Sequence, residues 1–212
     1  DFNKKPLNPP NWLNQHKKLN VKQIEKIEKK YTKRLQATHT LAEDTKTIIE
    51  TLKNNNLEDN TVVIITSDNG YHLGERQLPS GKRTPYYHDT IVPLIIIDPS
   101  VTKAQKYDNI TSSVDLAPTI LDYLDLKTIQ GYDGTSIKPL IYQKNVEWRE
   151  WVLTEANAKS TKGDPDYTKY APETFKAIRS TEWLYIVYTS GEKELYNLEK
   201  DPNETNIIIK NT

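Results

Sequence analysis

The stretch that most limits what this chain can fold into runs from Thr61 to Pro93, TVVIITSDNGYHLGERQLPSGKRTPYYHDTIVP. It opens as a short β-branched run, Val62 to Ile65, bounded by polar residues. Such a run predicts a buried strand of an α/β sheet. The chain then turns abruptly polar at Ser67, Asp68, Asn69 and Gly70. Open parallel sheets bind ligands outside the carboxyl ends of their strands, so a carboxylate and an amide at that point are candidates for chemistry. A loop rich in His, Glu, Arg and Lys follows, and a second apolar run, Val92 to Ile97, predicts another strand. The segment reads as strand, active-site loop, strand.

The flanking sequence supplies helices before this segment and a different texture after it. Residues 1–20 are rich in proline and asparagine and predict an irregular surface segment, anchored by Trp12 and Leu13. Between about Val21 and Asn54, Ile24, Ile27, Tyr31, Leu35, Thr38, Leu41, Ile48, Ile49 and Leu52 recur at helical steps, which predicts one long amphipathic helix. The charges mixed through KQIEKIEKKYTKR suit its solvated face, with a binding patch as the alternative. Thr111 to Leu126 predicts a further helix, capped by Ser113, tolerating Pro118 early and burying Leu116, Ile120, Leu121 and Leu124. Asp115 within it reads as a cap or loop brace, or else as a ligand.

From Trp148 onward the chain predicts four short strands, at 151–154, 176–180, 183–188 and 193–196, joined by tight turns and one long polar loop, Ala156 to Pro172. The expected organisation is therefore an α/β portion over residues 1–147 and a small antiparallel subdomain over 148–212, ending in a turn and a short terminal helix. Lys159 to Tyr170 is a candidate for the rim of a pocket.

Composition narrows the chemistry. Lys and Arg number 29, as do Asp and Glu, so net charge exerts no pull toward nucleic acid or a membrane surface. With no cysteine there is neither a disulfide framework nor a thiolate nucleophile or metal ligand in these residues. No apolar run approaches the ~18 residues a membrane-spanning helix needs. Methionine is also absent and the chain begins at Asp1, which reads as a processed chain or a piece of a longer one.

Within the loop, Asp68 and Asn69 offer two hard oxygen donors suited to Ca²⁺ or Mg²⁺ and poorly suited to Zn²⁺. The same tripeptide with Gly70 is equally compatible with an Asx-type turn. Lys82, in the glycine-assisted run Ser80-Gly81-Lys82-Arg83, could bring a point charge to a tetrahedral oxyanion or be an ordinary surface lysine. His72 could donate to that anion or act as a general acid, or simply pack in the loop. His88 and Asp89 could orient each other, and His16 and His39 have no assigned role.

Taken together, TSDNGYHLGE, LPSGKRTPY and the strand ending in Val-Pro-Leu resemble the C-terminal half of the sulfatases, members of the alkaline-phosphatase-like superfamily. The likeness is greatest to the glucosamine-6-sulfatase group. It extends upstream through YTKRLQATHTLAEDTKTIIETLKNNNLEDNT and downstream through SSVDLAPTILDYL and KAIRSTEWLYIVYTSGEKELYNLEKDPNE. The resemblance implies the C-terminal part of a mixed sheet flanked by helices, plus a small antiparallel subdomain. It implies that Asp68 and Asn69 ligate one Ca²⁺, that Lys82 contacts the substrate sulfate, and that His72 faces the same pocket. It implies a sulfated glycan substrate and a lysosomal, secreted or periplasmic location. It also implies a formylglycine nucleophile made from a C/S-x-P-x-R motif and an Asp-Asp pair. Neither occurs here, so both are expected in an N-terminal part of the same protein. A phosphoesterase of the same superfamily and a non-catalytic glycan-binding remnant are the rival readings. Two sequons, at Asn109 and Asn203, permit glycosylation.

Overall fold

The computed structural model describes residues 2–127, 131–143, 145–157, 163, 169–172 and 174–209. The N-terminal segment does pin itself down by Trp12 and Leu13, both buried in a one-turn helix, α1 (Asn11–Asn14). The long helix, α2, runs Val21–Asn54. Its first turn is closed reciprocally: Gln23 N–H donates to Asn20 Oδ1 at 3.0 Å and Asn20 N–H to Gln23 Oε1 at 2.9 Å. It ends where Asn56 takes a left-handed φ of 53°, a conformation asparagine tolerates better than most residues.

The periodicity of α2 is as expected, but its burial is not. Ile27 is buried, whereas Tyr31, Leu35, Leu41 and Ile48 on the same stripe are each more than half exposed. Beyond its first turns the helix has little to pack against among the described residues.

Strand β1 (Val63–Thr66) pairs antiparallel with β2 (Leu94–Ile97), Val63 opposite Ile97 and Thr66 opposite Leu94. The expected strands are therefore present, but β1 is half-buried rather than buried. The two form a ribbon of their own among the described residues, with neither face fully covered, so Ile95 and Ile97 stay exposed.

After β2 comes a short 3₁₀ turn, Ser113–Asp115, and then α4 (Leu116–Tyr123). Ser112, not Ser113, is the capping residue, its N–H donating to Asp115 Oδ2 at 2.8 Å. The buried face is not the expected apolar stripe either, since Ile120 and Leu124 are exposed while Pro118 and Thr119 are buried. The buried Thr119 is satisfied in this rotation: its Oγ1 donates to the Asp115 carbonyl and accepts from Ile137 N–H at 2.9 Å. Asp115 itself is fully buried. It accepts from Ser112, from Thr135 N–H at 2.8 Å and from both Arg149 terminal nitrogens, at 2.7 and 3.1 Å. It is a brace, as one sequence reading held. A further short helix, α5, spans Lys138–Tyr142.

The four C-terminal strands form one antiparallel meander, β3 (Trp151–Ala156), β4 (Phe175–Ser180), β5 (Trp183–Tyr188) and β6 (Lys193–Asn197), in that order. Alternation puts Phe175, Ala177, Leu184, Ile186, Tyr188 and Tyr196 into a core that also holds Trp12, Leu13, Leu78, Tyr86 and Ile207. Each large side chain in it contributes on the order of 2 kcal/mol by removal from water. Into this core the sheet also turns Glu194, which is fully buried. Tyr86 and Tyr188 donate to it at 3.0 and 2.5 Å, and Tyr196 donates as well. Burial pushes the Glu194 carboxyl above its ordinary range against these hydrogen bonds, and pushes all three phenols well up. The C-terminal segment is turn rather than helix among the described residues, closed by Thr205 and Asn206 N–H groups on Asp201 Oδ2. Most of the expected pocket rim, 159–170, lies outside the described residues.

Candidate active-site loop

β1 ends at Thr66 and delivers Ser67 to Gly70 as a tight polar turn. Asp68 Oδ1 accepts from Asn69 N–H at 2.9 Å, and Ser67 Oγ donates to the Asn69 carbonyl at 3.0 Å. Gly70 N–H donates to the Asp89 carbonyl at 2.9 Å. A β-carbon on Gly70 would lie 2.0 Å from the His88 carbonyl oxygen, so the close approach requires glycine. The turn thus holds the Asp68 and Asn69 side chains next to each other, and Lys82 Nζ donates to Asn69 Oδ1 at 3.3 Å. Asp68, Asn69 and Lys82 line one cleft of about 760 Å³, together with Arg83, Thr84, Glu155 and Arg179.

His72 stands behind this group rather than among the residues that line the cleft. It is buried, and its backbone pairs with Gly81 in both directions, at 2.9 and 3.1 Å. Its Nδ1–H donates to the Asp89 carboxylate at 2.9 and 3.0 Å. The opposite edge of the ring abuts Gly81, where a β-carbon would sit 3.0 Å from His72 Nε2. Asp89 Oδ2 also accepts from Thr84 N–H at 2.8 Å and Thr84 Oγ1 at 2.7 Å. One buried carboxylate therefore ties both ends of the Gly81–Lys82–Arg83 run.

The expected His88–Asp89 pairing does not form. Both sit in the one-turn helix α3 (Tyr87–Thr90), where consecutive side chains diverge by about 100°. His88 Nε2 lies 3.7 Å from Glu75 instead, and burial lowers its pKa. His16, left without a role, is buried edge-on against Trp12 with Nε2 2.8 Å from the Tyr170 carbonyl. His39 is exposed on α2.

The loop is gripped from two further sides. Lys30 Nζ donates to Tyr71 Oη at 2.8 Å and Ser80 Oγ at 2.9 Å, and the Arg34 guanidinium lies 4.6 Å from the Tyr71 ring centroid. From the C-terminal segment, the buried Glu204 accepts from Arg76 at 3.1 Å, from Arg179, and from Tyr87 N–H at 3.0 Å. Arg76 also donates to the Glu204 and Asn203 carbonyls and stacks 3.9 Å from the Tyr86 ring centroid. Asp89 is a candidate in the sequence but with the wrong histidine, and nothing in the local sequence signals Thr84 or the Arg76–Glu204–Arg179 cluster. Their partners lie up to 128 residues apart, and no periodicity reports pairings at that distance.

The donor set fits a hard cation in kind and only partly in number. Asp68 and Asn69 supply two oxygens where calcium takes six to eight ligands. Among the described residues no group of three or more His, Cys, Asp or Glu is placed to hold a metal. Nor is any helix among them long and apolar enough to cross a membrane.

Comparison with known proteins agrees with this architecture. The Sulfatase family model matches residues 7–126, and the model for the C-terminal region of N-sulphoglucosamine sulphohydrolase matches residues 79–212. The N-acetylglucosamine-6-sulfatase of Bos taurus is 30% identical over 218 residues, covering 88% of this chain and 38% of that protein. The extracellular sulfatase SULF-1 homolog of Drosophila melanogaster is 36% identical over 132 residues, covering 60% of this chain and 12% of that protein. The chain therefore spans well under half the length of these relatives. Among solved structures, BT4656 in complex with its substrate D-glucosamine-2-N,6-O-disulfate superimposes with a TM-score of 0.63 at 27% identity, over 78% of this chain and 33% of that one. The phosphonate monoester hydrolase of Agrobacterium radiobacter gives 0.65 at 27% identity, over 77% and 34%.

Proposed function

Because the chain belongs to the sulfatase family, with the α/β architecture of that family's solved members, we propose that it forms the substrate-binding and half of the metal-binding part of a sulfatase. The substrate would be a sulfate ester of a glycosaminoglycan, the 6-O-sulfate of N-acetylglucosamine first among them. The reading rests on the meeting of Asp68, Asn69 and Lys82 at one cleft, with Lys82 Nζ 3.3 Å from Asn69 Oδ1. The glucosamine-6-sulfatase relative and the sulfated glucosamine bound by BT4656 support the substrate class. Residues 1–147 would be the C-terminal part of the catalytic α/β domain and 148–212 its antiparallel subdomain. An N-terminal part of the same protein would supply the nucleophile, a formylglycine, and the remaining ligands. A secreted, lysosomal or periplasmic location suits such substrates, and the extracellular Drosophila relative is consistent with it.

In this assignment Asp68 and Asn69 hold one Ca²⁺, which when bound supplies positive charge to the sulfuryl oxygens. Lys82 binds and orients the sulfate and neutralises the charge that grows on its oxygens in the transition state. His72 does not reach the cleft, so its part is to fix the Gly81–Lys82 backbone, with Asp89 fixing His72 in turn. In the full-length protein, Lys82→Ala is expected to lower turnover of a small aryl sulfate about 10²- to 10³-fold with an unchanged circular dichroism spectrum. Unchanged turnover would remove Lys82 from the reaction. The phosphonate hydrolase likeness favours one second reading, hydrolysis of phosphate or phosphonate esters. Turnover of an aryl phosphonate exceeding that of the matched sulfate would establish it.

A further inference from the structure

The chain is formally neutral, yet its charge is unevenly distributed. Eight Lys and Arg against two Glu lie between Lys17 and Arg34. Most of these sit on the first half of α2, and the helix sorts them. At 100° per residue, Lys22, Lys26, Lys29 and Lys33 fall within an arc of about 60°. Ile24, Ile27, Tyr31 and Leu35 fall on the opposite side, so covering the apolar stripe leaves the lysine stripe in solvent. All four lysines are exposed. Lys30 and Arg34 occupy the edge between the two stripes, and they are the residues that hold Tyr71 and Ser80 of the active-site loop. Ser80 is two residues from Lys82, and Tyr71 two from Asn69. The stripe therefore runs along about 18 Å of a helix whose edge residues hold the loop that bears Lys82.

We propose that Lys22, Lys26, Lys29 and Lys33 form an extended subsite for the sulfated glycan chain beyond the sugar held in the cleft. The choice of polyanion rests on the proposed function, while the surface itself rests on the charge pattern and on the grip that the neighbouring edge residues Lys30 and Arg34 keep on the loop. Four like charges in one arc with no acidic neighbour inside it raise the local potential, and a flexible polyanion gains by releasing counterions along it. The two glutamates, Glu25 and Glu28, project to one flank and do not interrupt the stripe.

The test is binding of a heparan-sulfate dodecasaccharide to the full chain by fluorescence anisotropy, between 50 and 300 mM NaCl. K26Q/K29Q/K33Q is expected to weaken binding at least about tenfold at the lowest salt, and to reduce the slope of log Kd against log salt by about three. K46Q/K53Q, lysines at the far end of α2, should leave both unchanged. Turnover of a small aryl sulfate by the full-length protein should not respond to the triple substitution, because the stripe does not line the cleft. Wild-type affinity in K26Q/K29Q/K33Q would overturn the proposal, as would equally tight binding of a DNA duplex of matched charge. Stripe-dependent glycan binding in a full-length protein that hydrolyses no sulfate ester would instead uphold this surface and overturn the proposed function.

Discussion

At the scale of single residues, close backbone approach and buried polar contacts decide what can be exchanged. Gly70→Ala places a methyl group 2.0 Å from the His88 carbonyl oxygen, where neither side can yield without moving the Asp68–Asn69 turn or α3. We expect a loss of about 1–3 kcal/mol by urea denaturation, typical of forced overpacking. Gly81→Ala is gentler, since its neighbour is the edge of the His72 ring at 3.0 Å. That ring is held by Asp89, so the strain should pass to Lys82 and appear as a raised KM for sulfate ester in the full-length protein. Glu204 is the least replaceable residue in this region. Glu204→Ala leaves Arg76 and Arg179 buried without their carboxylate, in a segment that also holds a left-handed φ of 54° at that position. Removing one partner of a buried ion pair costs about 3–5 kcal/mol. A thermal shift of only a degree or two would show that the cluster contributes little.

At the scale of elements, α2 behaves as two helices in one. Its first turns are capped, buried at Ile27 and bonded to the loop, whereas its later turns carry an apolar stripe with little beneath it. Ile27→Ala should therefore cost about 2–4 kcal/mol, and Leu41→Ala less than about 0.5 kcal/mol, in the same urea titration of this chain. In a longer protein that covers the stripe, the Leu41 value should rise toward the Ile27 value. The strands of the C-terminal sheet are legible in the sequence as short β-prone runs between tight turns, but their faces are not, since β4 buries Arg179 and exposes Ile178. α4 is legible as a helix from its period, but not in its rotation. The hydroxyl of Thr119 satisfies a backbone donor 18 residues away, a pairing that the helical period does not report.

At the scale of the whole molecule, two carboxylates tilt acid and alkaline stability in opposite senses. Burial alone would raise the Asp98 pKa, but hydrogen bonds from Ser100, Tyr142 and Tyr123 outweigh it and hold the group at about 2. A carboxylate depressed on folding contributes stability that is complete above the unfolded value near 4 and is lost as pH falls toward 2. Asp98→Asn should flatten that acid limb of the urea midpoint against pH. Glu194, raised by burial, works the other way: its contribution is complete below the ordinary carboxylate range and is lost as pH climbs through its folded value. Glu194→Gln should flatten the loss that sets in as pH rises above the ordinary carboxylate range. If neither limb responds, these two groups do not govern the pH profile.

The sequence by itself determined the elements and the chemistry available to them. β-branched runs make β1 and β2, a 3.6-residue period makes α2, and short β-prone runs between tight turns make the C-terminal sheet, while the strand end and its loop make Asp68, Asn69 and Lys82 candidates without fixing their roles. Each of these is a short-range property that neighbouring residues impose through sterics and local hydrogen bonding. The tertiary structure decided what distance in the chain conceals. It set the antiparallel pairing of β1, placed His72 behind Lys82 rather than in the cleft, gave Asp89 to His72 instead of His88, and closed Glu204 onto two arginines. Those outcomes depend on which desolvated groups find compensating partners, and a buried carboxylate takes whichever donors the packed chain brings to it.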